Sequence, residues 1–280
     1  MLLKDKMIDI GWPMHVRVWQ PEAGEKRPYL LIHGLSSNAR TWDGVARELA
    51  QQGHPVVAVD QRGHGLSHKP DDGYDFATIT ADLMRLLAEL GWQEKRPILA
   101  GQSWGGNVLL AFGYHYPGVA GQLIFVDGGF LDLSGRGTWE EIAMALRPPN
   151  LNGTPLPQLR ARIKEFHPDW SPEGIEATLA NFAHLPDGTV RPWLSLDHHM
   201  QILRAMYEQK PQTLFPRITE PVLICVADDG SEWTHQKREQ VRIAADLLPQ
   251  AQVVWFPNTA HDIHVEKPVE LARMFEEFVS

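Results

Sequence analysis

Pro97-Ile98-Leu99-Ala100-Gly101-Gln102-Ser103-Trp104-Gly105-Gly106-Asn107-Val108-Leu109-Leu110-Ala111-Phe112 passes from an apolar run, through a glycine-flanked serine, into a second apolar segment. The pattern predicts a strand, a tight turn and a helix, with Ser103 at the apex of the turn. A serine placed so has a strained backbone that lifts its hydroxyl clear of the sheet, and the glycines admit the close approach of strand and helix. The helix that follows offers unpaired N–H groups and a positive dipole end to a developing negative charge. Ser103 is therefore a candidate nucleophile, although the five-residue pattern alone is common enough to be a simple turn.

On either side, buried-strand runs alternate with helical patterns. Met14–Trp19 alternates as an antiparallel strand does, and Tyr29–Ile32, Pro55–Val59, Leu123–Val126 and Val222–Val226 are short continuous apolar runs suited to strands covered on both faces. Ala251–Phe256 is a further strand. Helices are predicted from Thr41 toward Gly53, over Asp75–Leu90, over Trp233–Leu248 and over Pro268–Val279. This order implies a mostly parallel, doubly wound α/β sheet, whose ligand site lies beyond the carboxyl ends of the strands. Six loops (33–38, 60–67, 101–106, 127–130, 227–231 and 258–264) each follow a strand and so converge on that edge. Between residues 131 and 216 strand-like runs vanish, prolines and tryptophans multiply, and helical pieces take over at Thr138–Leu146, Pro172–Phe182 and Ser195–Tyr207. The expected organisation is a core of residues 1–130 and 217–280 with a helical lid inserted as residues 131–216.

Composition narrows the function. A chain of 280 residues with net charge −9 lacks the basic stripe of a nucleic-acid binder. It also lacks an apolar run of the ~18 residues that span a membrane. The charged N-terminal stretch is unlike a signal peptide, and the single cysteine, Cys225, lies within an apolar strand, so a cytoplasmic protein with a buried, inert thiol is expected. The pairs Asp197-His198-His199 and His261-x-x-His264 do not give the spacing of a helical zinc site, so neither metal nor cofactor is expected.

A serine hydroxyl needs a base within hydrogen-bond reach, and the base needs a carboxylate to hold its tautomer. His261, in the loop after the last strand, is the candidate base, with His264 a rival in the same loop. Asp127, Asp228 and Asp229 all end strands before His261, and each is equally suited to cap a loop. Asp60 and Arg62 are expected to form an ion pair that braces the 60–67 loop.

The set His33-Gly34, Asp60-x-Arg62-Gly63-His64-Gly65-x-Ser67, Gly101-x-Ser103-x-Gly105-Gly106 and His261 with Glu266-x-Pro268 resembles the α/β-hydrolase family, in its lidded serine esterase, lactonase and C–C hydrolase branch. The resemblance spans nearly the whole chain outside the lid. It implies an eight-stranded α/β-hydrolase sheet, Ser103 as nucleophile, His261 as base, and Leu35 and Trp104 as backbone donors of an oxyanion hole. The family normally places its acid after the seventh strand in a Gly-x-x-Asp pattern. Here Ala227-Asp228-Asp229-Gly230 carries glycine at that point, so Asp127, after the sixth strand, is preferred, with Asp229 the alternative.

The expected activity is hydrolysis of a carboxylic ester or lactone through an acyl-enzyme. The alternatives are cleavage of a C–C bond in ring-cleavage products, cleavage of an amide or peptide, and a non-catalytic ligand receptor. Trp139 and Trp193, with the lid's Trp170, Phe166, Phe182 and the aliphatic Met144, are candidate substrate contacts, which suggests a small-molecule substrate with an apolar portion.

Overall fold

The computed structural model describes residues 2–280. Eight strands form the central sheet: β1 (Leu2–Asp9), β2 (Pro13–Gln20), β3 (Tyr29–Ile32), β4 (Val56–Val59), β5 (Ile98–Gln102), β6 (Gln122–Val126), β7 (Val222–Asp228) and β8 (Ala251–Pro257). Their order across the sheet is β1-β2-β4-β3-β5-β6-β7-β8. β2 runs antiparallel to both β1 and β4, and every later pairing is parallel. The mostly parallel α/β sheet read from the sequence is thus the observed one.

Alternate residues of these strands feed two cores. Leu30, Ile32, Val57, Leu99, Leu123 and Ile224 pack on one face with helices Phe76–Glu89, Trp104–His115 and Glu232–Leu247. Leu31, Ala58, Ala100, Ile124 and Cys225 pack on the other face with Asp43–Gln51 and Pro268–Val279. Burial on both faces explains the unbroken apolar runs. β1 has no such pattern: it is an exposed edge strand carrying Lys4, Asp5 and Lys6, and those charges discourage pairing with another chain.

No strand of the central sheet lies between Val126 and Val222 among the described residues. The segment 131–216 holds helices Trp139–Ala145, Leu156–Phe166, Pro172–Leu179 and Leu196–Glu208, but it is not purely helical. Phe182–His184 and Thr189–Pro192 pair antiparallel, with the short strand Thr154–Pro155 beside them. Leu185-Pro186-Asp187-Gly188 closes the hairpin: Gly188 N donates to Leu185 O at 3.0 Å, and Gly188 has φ +82°. Pro, Asp and Gly in that order favour such a turn, and strands of three and four residues are too short to show periodicity. Leu159, Trp170, Ile175, Leu179 and Val190 form a separate small core with Val265 of the body.

Candidate active site

Ser103 lies between β5 and the helix Trp104–His115 with φ +53° and ψ −121°, a conformation L-residues rarely adopt. Five described non-glycine residues have positive φ, and four of them (Ser36, Ser103, Asp127 and Asn258) lie in loops at the carboxyl edge of the sheet. Such backbone strain persists only where the surrounding fold over-determines geometry, and here it concentrates at the edge that the loops share.

Two loops are pressed onto Ser103. Its N–H donates to Val126 O at 2.8 Å, tying the elbow to the end of β6. Gly128 passes so close that a Cβ there would lie 2.7 Å from Ser103 Cα, and a Cβ on Gly34 would lie 3.1 Å from Ser103 Cβ. Gln102 reaches a third loop, donating to Asp262 Oδ1 at 3.3 Å and lying 3.5 Å from the His261 carbonyl. Residues distant in the chain are thereby gathered around one hydroxyl.

Asp127 is 1% exposed, and its carboxylate is fully engaged. Oδ1 accepts from Ala227 N at 3.0 Å, Oδ1 and Oδ2 accept from Lys237 Nζ at 2.9 and 3.0 Å, and Oδ2 accepts from His261 Nδ1 at 2.6 Å. Because a carboxylate only accepts, His261 carries its proton on Nδ1 and presents a lone pair on Nε2. Burial opposes ionisation of Asp127, but His261 and Lys237 outweigh it and hold the carboxyl below its usual range. For His261, desolvation works against the charged form, while the hydrogen bond and charge of Asp127, helped by Asp262 and opposed by Lys237, turn the net shift upward. Ser103 Oγ and His261 Nε2 have no protein hydrogen bond among the described residues, so the two are not hydrogen-bonded to each other.

The other aspartates are occupied elsewhere. Asp229 accepts from Ser231 N at 3.0 Å and Thr234 Oγ1 at 2.8 Å, and these hydrogen bonds hold its carboxyl down at about 2. Asp228 pairs with Arg238 at 2.9 Å. His264 is buried against Trp42, has no hydrogen bond on either ring nitrogen among the described residues, and is pushed down to about 4 by desolvation. The expected Asp60–Arg62 pair does not form. Arg62 turns to Asp82 at 2.6 Å, and Asp60 is taken by His15 at 2.8 Å and by Ala39 N at 2.7 Å. Asp82 sits in a helix and His15 in β2, so neither partner is visible in the local motif.

The Gly34–Ser36 turn is held rigid from beneath. His33 Nδ1 donates to Gly34 O at 2.7 Å, and its Nε2 accepts from Gln61 N at 3.1 Å. His64 accepts from Ser36 N at 3.3 Å and stacks on Trp104 with centroids 5.4 Å apart. Leu35 N and Trp104 N make no protein hydrogen bond among the described residues, the state expected of donors kept for an anion.

Beside this turn opens a cavity of about 690 Å³. Ser36 and His64 line its body side, and Trp193, Phe182, Arg147 and Arg191 line the side formed by residues 131–216. Trp193 thus faces the cavity. Trp139 does not: it packs edge-on against Tyr207 with Arg204 over its ring. Trp170 stacks on His167, and Met144 is 78% exposed, so these lid side chains do not form one apolar pocket. Lys237 escaped the sequence reading, because within Glu232-Trp233-Thr234-His235-Gln236-Lys237-Arg238 it looks like one charge on a solvated helix face.

Residues 29–274 match the model of the alpha/beta hydrolase family. The chain is 39% identical over 107 residues to an uncharacterized protein of Mycobacterium tuberculosis, a match covering 38% of this chain and 30% of that protein's length. It is 24% identical over 278 residues to the 2-(acetamidomethylene)succinate hydrolase of Mesorhizobium japonicum, covering 98% of this chain and 94% of that one. Among solved structures, E-2-(acetamidomethylene)succinate hydrolase superposes with TM-score 0.80 at 21% identity over 99% of both chains. The thioesterase domain from the curacin biosynthetic pathway superposes with TM-score 0.79 at 21% identity, over 99% of this chain and 100% of that one.

Proposed function

Because this chain belongs to the α/β-hydrolase family, we propose that it is a serine hydrolase that cleaves a carboxylic ester or lactone through an acyl-enzyme on Ser103. The observation that carries this reading is the strained Ser103, packed against the loop whose Asp127 holds His261 at 2.6 Å. His261 Nε2 accepts the Ser103 proton as Oγ attacks the carbonyl carbon. Leu35 N–H and Trp104 N–H receive the resulting oxyanion, at a helix end whose dipole favours negative charge. Collapse expels the alcohol, which takes the proton from His261. Water, deprotonated by the same imidazole, then frees the acid and restores Ser103. Asp127 stays ionised and fixes the tautomer throughout. The segment 131–216 acts as a cap over the acyl site.

Amide cleavage is the second reading, favoured by the near full-length similarity to a hydrolase whose substrate name contains an acetamide. The same acyl-enzyme serves it, provided that His261 can protonate a departing nitrogen. A fluorophosphonate probe should label the wild type and not Ser103→Ala, while p-nitrophenyl butyrate is turned over by the wild type alone. Equal turnover by both proteins would overturn the assignment. Labelling without turnover of any ester or amide in a panel would point to a receptor that retains the triad.

A further inference from the structure

The cavity beside the Ser36 turn has a charge that the rest of the molecule lacks. The chain carries 35 acidic and 26 basic side chains, yet the cavity lining includes Lys69, Arg147 and Arg191 and not one aspartate or glutamate. Arg147 and Arg191 form no ion pair or hydrogen bond through their side chains among the described residues. Lys69 is fixed: its Nζ donates to Gly65 O at 2.7 Å and Ser67 O at 2.8 Å, and it sits 4.8 Å from the Trp193 ring centroid. Burial disfavours its charge, and Arg191 is near enough to disfavour it further, with Asp60 opposing. Three cationic side chains lining one cleft, with no carboxylate among them, form a site short of an anion.

From this arrangement, and resting on the acyl-enzyme reading above, we infer that the cavity binds a carboxylate at the far end of the substrate's acyl chain, clasped by Arg147 and Arg191. The body side of the cavity belongs to the oxyanion turn, through Ser36, and to His64, which stacks on Trp104. The opposite side brings the two guanidiniums, whose planar forks suit a carboxylate. Phe182, Leu194 and Trp193 also line the cavity and suit a short hydrocarbon spacer. A volume of about 690 Å³ lies within the range of small-molecule sites. The substrate class is thus a monoester, or the corresponding amide, of a dicarboxylic acid, with the free carboxylate inside the cavity and the reactive carbonyl beyond its Ser36 side, at Ser103.

The test compares mono-p-nitrophenyl glutarate, whose acyl chain ends in a carboxylate, with p-nitrophenyl valerate, which has the same number of acyl carbons and no charge. The wild type should favour the glutarate ester by roughly tenfold or more in kcat/KM, and added salt should erode the preference. Arg191→Gln and Arg147→Gln should collapse the ratio, chiefly through KM, and Arg191→Lys should retain part of it. Calorimetry with free glutarate gives a readout independent of turnover: it should bind the wild type and Ser103→Ala, and bind Arg191→Gln at least tenfold more weakly. Turnover of valerate at the same efficiency as glutarate, with no binding of free glutarate, would overturn the subsite and leave the serine hydrolase standing. Glutarate binding without turnover of either ester and without Ser103 labelling would uphold the anion site and overturn the hydrolase reading.

Discussion

Replacing Asp127 by asparagine separates catalysis from stability. The carboxylate faces three donors: Ala227 N–H, the Lys237 ammonium and His261 Nδ1–H. An asparagine has one oxygen to share among them. If the oxygen turns to His261, the amide NH₂ confronts the Lys237 charge, so the favoured orientation gives the oxygen to Lys237 and the NH₂ to His261. Nδ1 must then accept, the proton moves to Nε2, and His261 can no longer take a proton from Ser103. The expected loss is about 10⁴-fold in kcat/KM, or roughly 5.4 kcal/mol of transition-state stabilisation. Lys237 is 3% exposed, so the variant also strands a buried cation, at about 3–5 kcal/mol of folding stability. Adding Lys237→Met removes that charge, and the double variant should recover most of the stability and none of the rate. Asp229→Asn should lose about 1 kcal/mol by weakening the bonds to Ser231 N and Thr234 Oγ1 and keep its rate within about threefold. Kinetics on p-nitrophenyl butyrate and urea unfolding midpoints measure both quantities. An Asp127→Asn enzyme within tenfold of wild type, or an Asp229→Asn enzyme equally crippled, would refute this account.

Lys237→Met alone should move the acid limb of kcat/KM to higher pH: Lys237 opposes the upward shift of His261, so its removal lets the imidazole hold its proton longer. A limb that stays put or moves to lower pH in the pH–rate profile would contradict this. Burial opposes ionisation of Asp60, but His15 and neighbouring donors hold its carboxyl at about 2, so it contributes stability above its unfolded value near ~3.9 that is lost as pH falls toward 2. Asp60→Asn should therefore lower stability at neutral pH by about 2–3 kcal/mol and flatten the acid side of the stability curve, as read by urea unfolding from pH 3 to pH 7. Gly128→Ala places a Cβ against the Ser103 backbone, which cannot yield as a side-chain tip can. It should lower kcat by at least tenfold and stability by about 1–3 kcal/mol, and a variant matching wild type in both would show that the loop is free to move.

Much of this was legible in the chain because each motif carries its own local physics. Gly101-x-Ser103-x-Gly105 specifies a bend whatever surrounds it, and β3 to β7 announce themselves as apolar runs because both their faces are covered. β1 was not legible, since an exposed edge strand has no buried face to write a pattern. Nor was the Phe182–Pro192 hairpin, apart from its Pro186-Asp187-Gly188 turn. Partnerships set by tertiary crossing were the hardest. Asp60 and Arg62 look like natural partners two residues apart, yet β2 and the helix Phe76–Glu89 deliver His15 and Asp82 to them instead. The same holds for Arg147 and Arg191, which share a cavity only after the chain between them has folded back.

The proposed role of Asp127 as the acid draws support from the helix Glu232–Leu247 that follows β7. Its N-terminal turn takes up the carboxylates at the end of that strand: Ser231 N and Thr234 Oγ1 bind Asp229, and Arg238 binds Asp228. Either aspartate would have to give up those partners to orient His261. Asp127, one strand inward on β6, is spared that competition, but burial at 1% exposure would keep a lone carboxylate protonated. Lys237, one turn along the same helix, answers that difficulty by bringing a cation to within 3.0 Å of both oxygens. The helix therefore does two things at once: it occupies the aspartates of its own strand and keeps the neighbouring strand's aspartate ionised. The lysine also lowers the affinity of His261 for a proton, offsetting part of the rise that so close a carboxylate imposes. A base held nearer to neutrality is better matched to accepting the Ser103 proton and returning it to a leaving group.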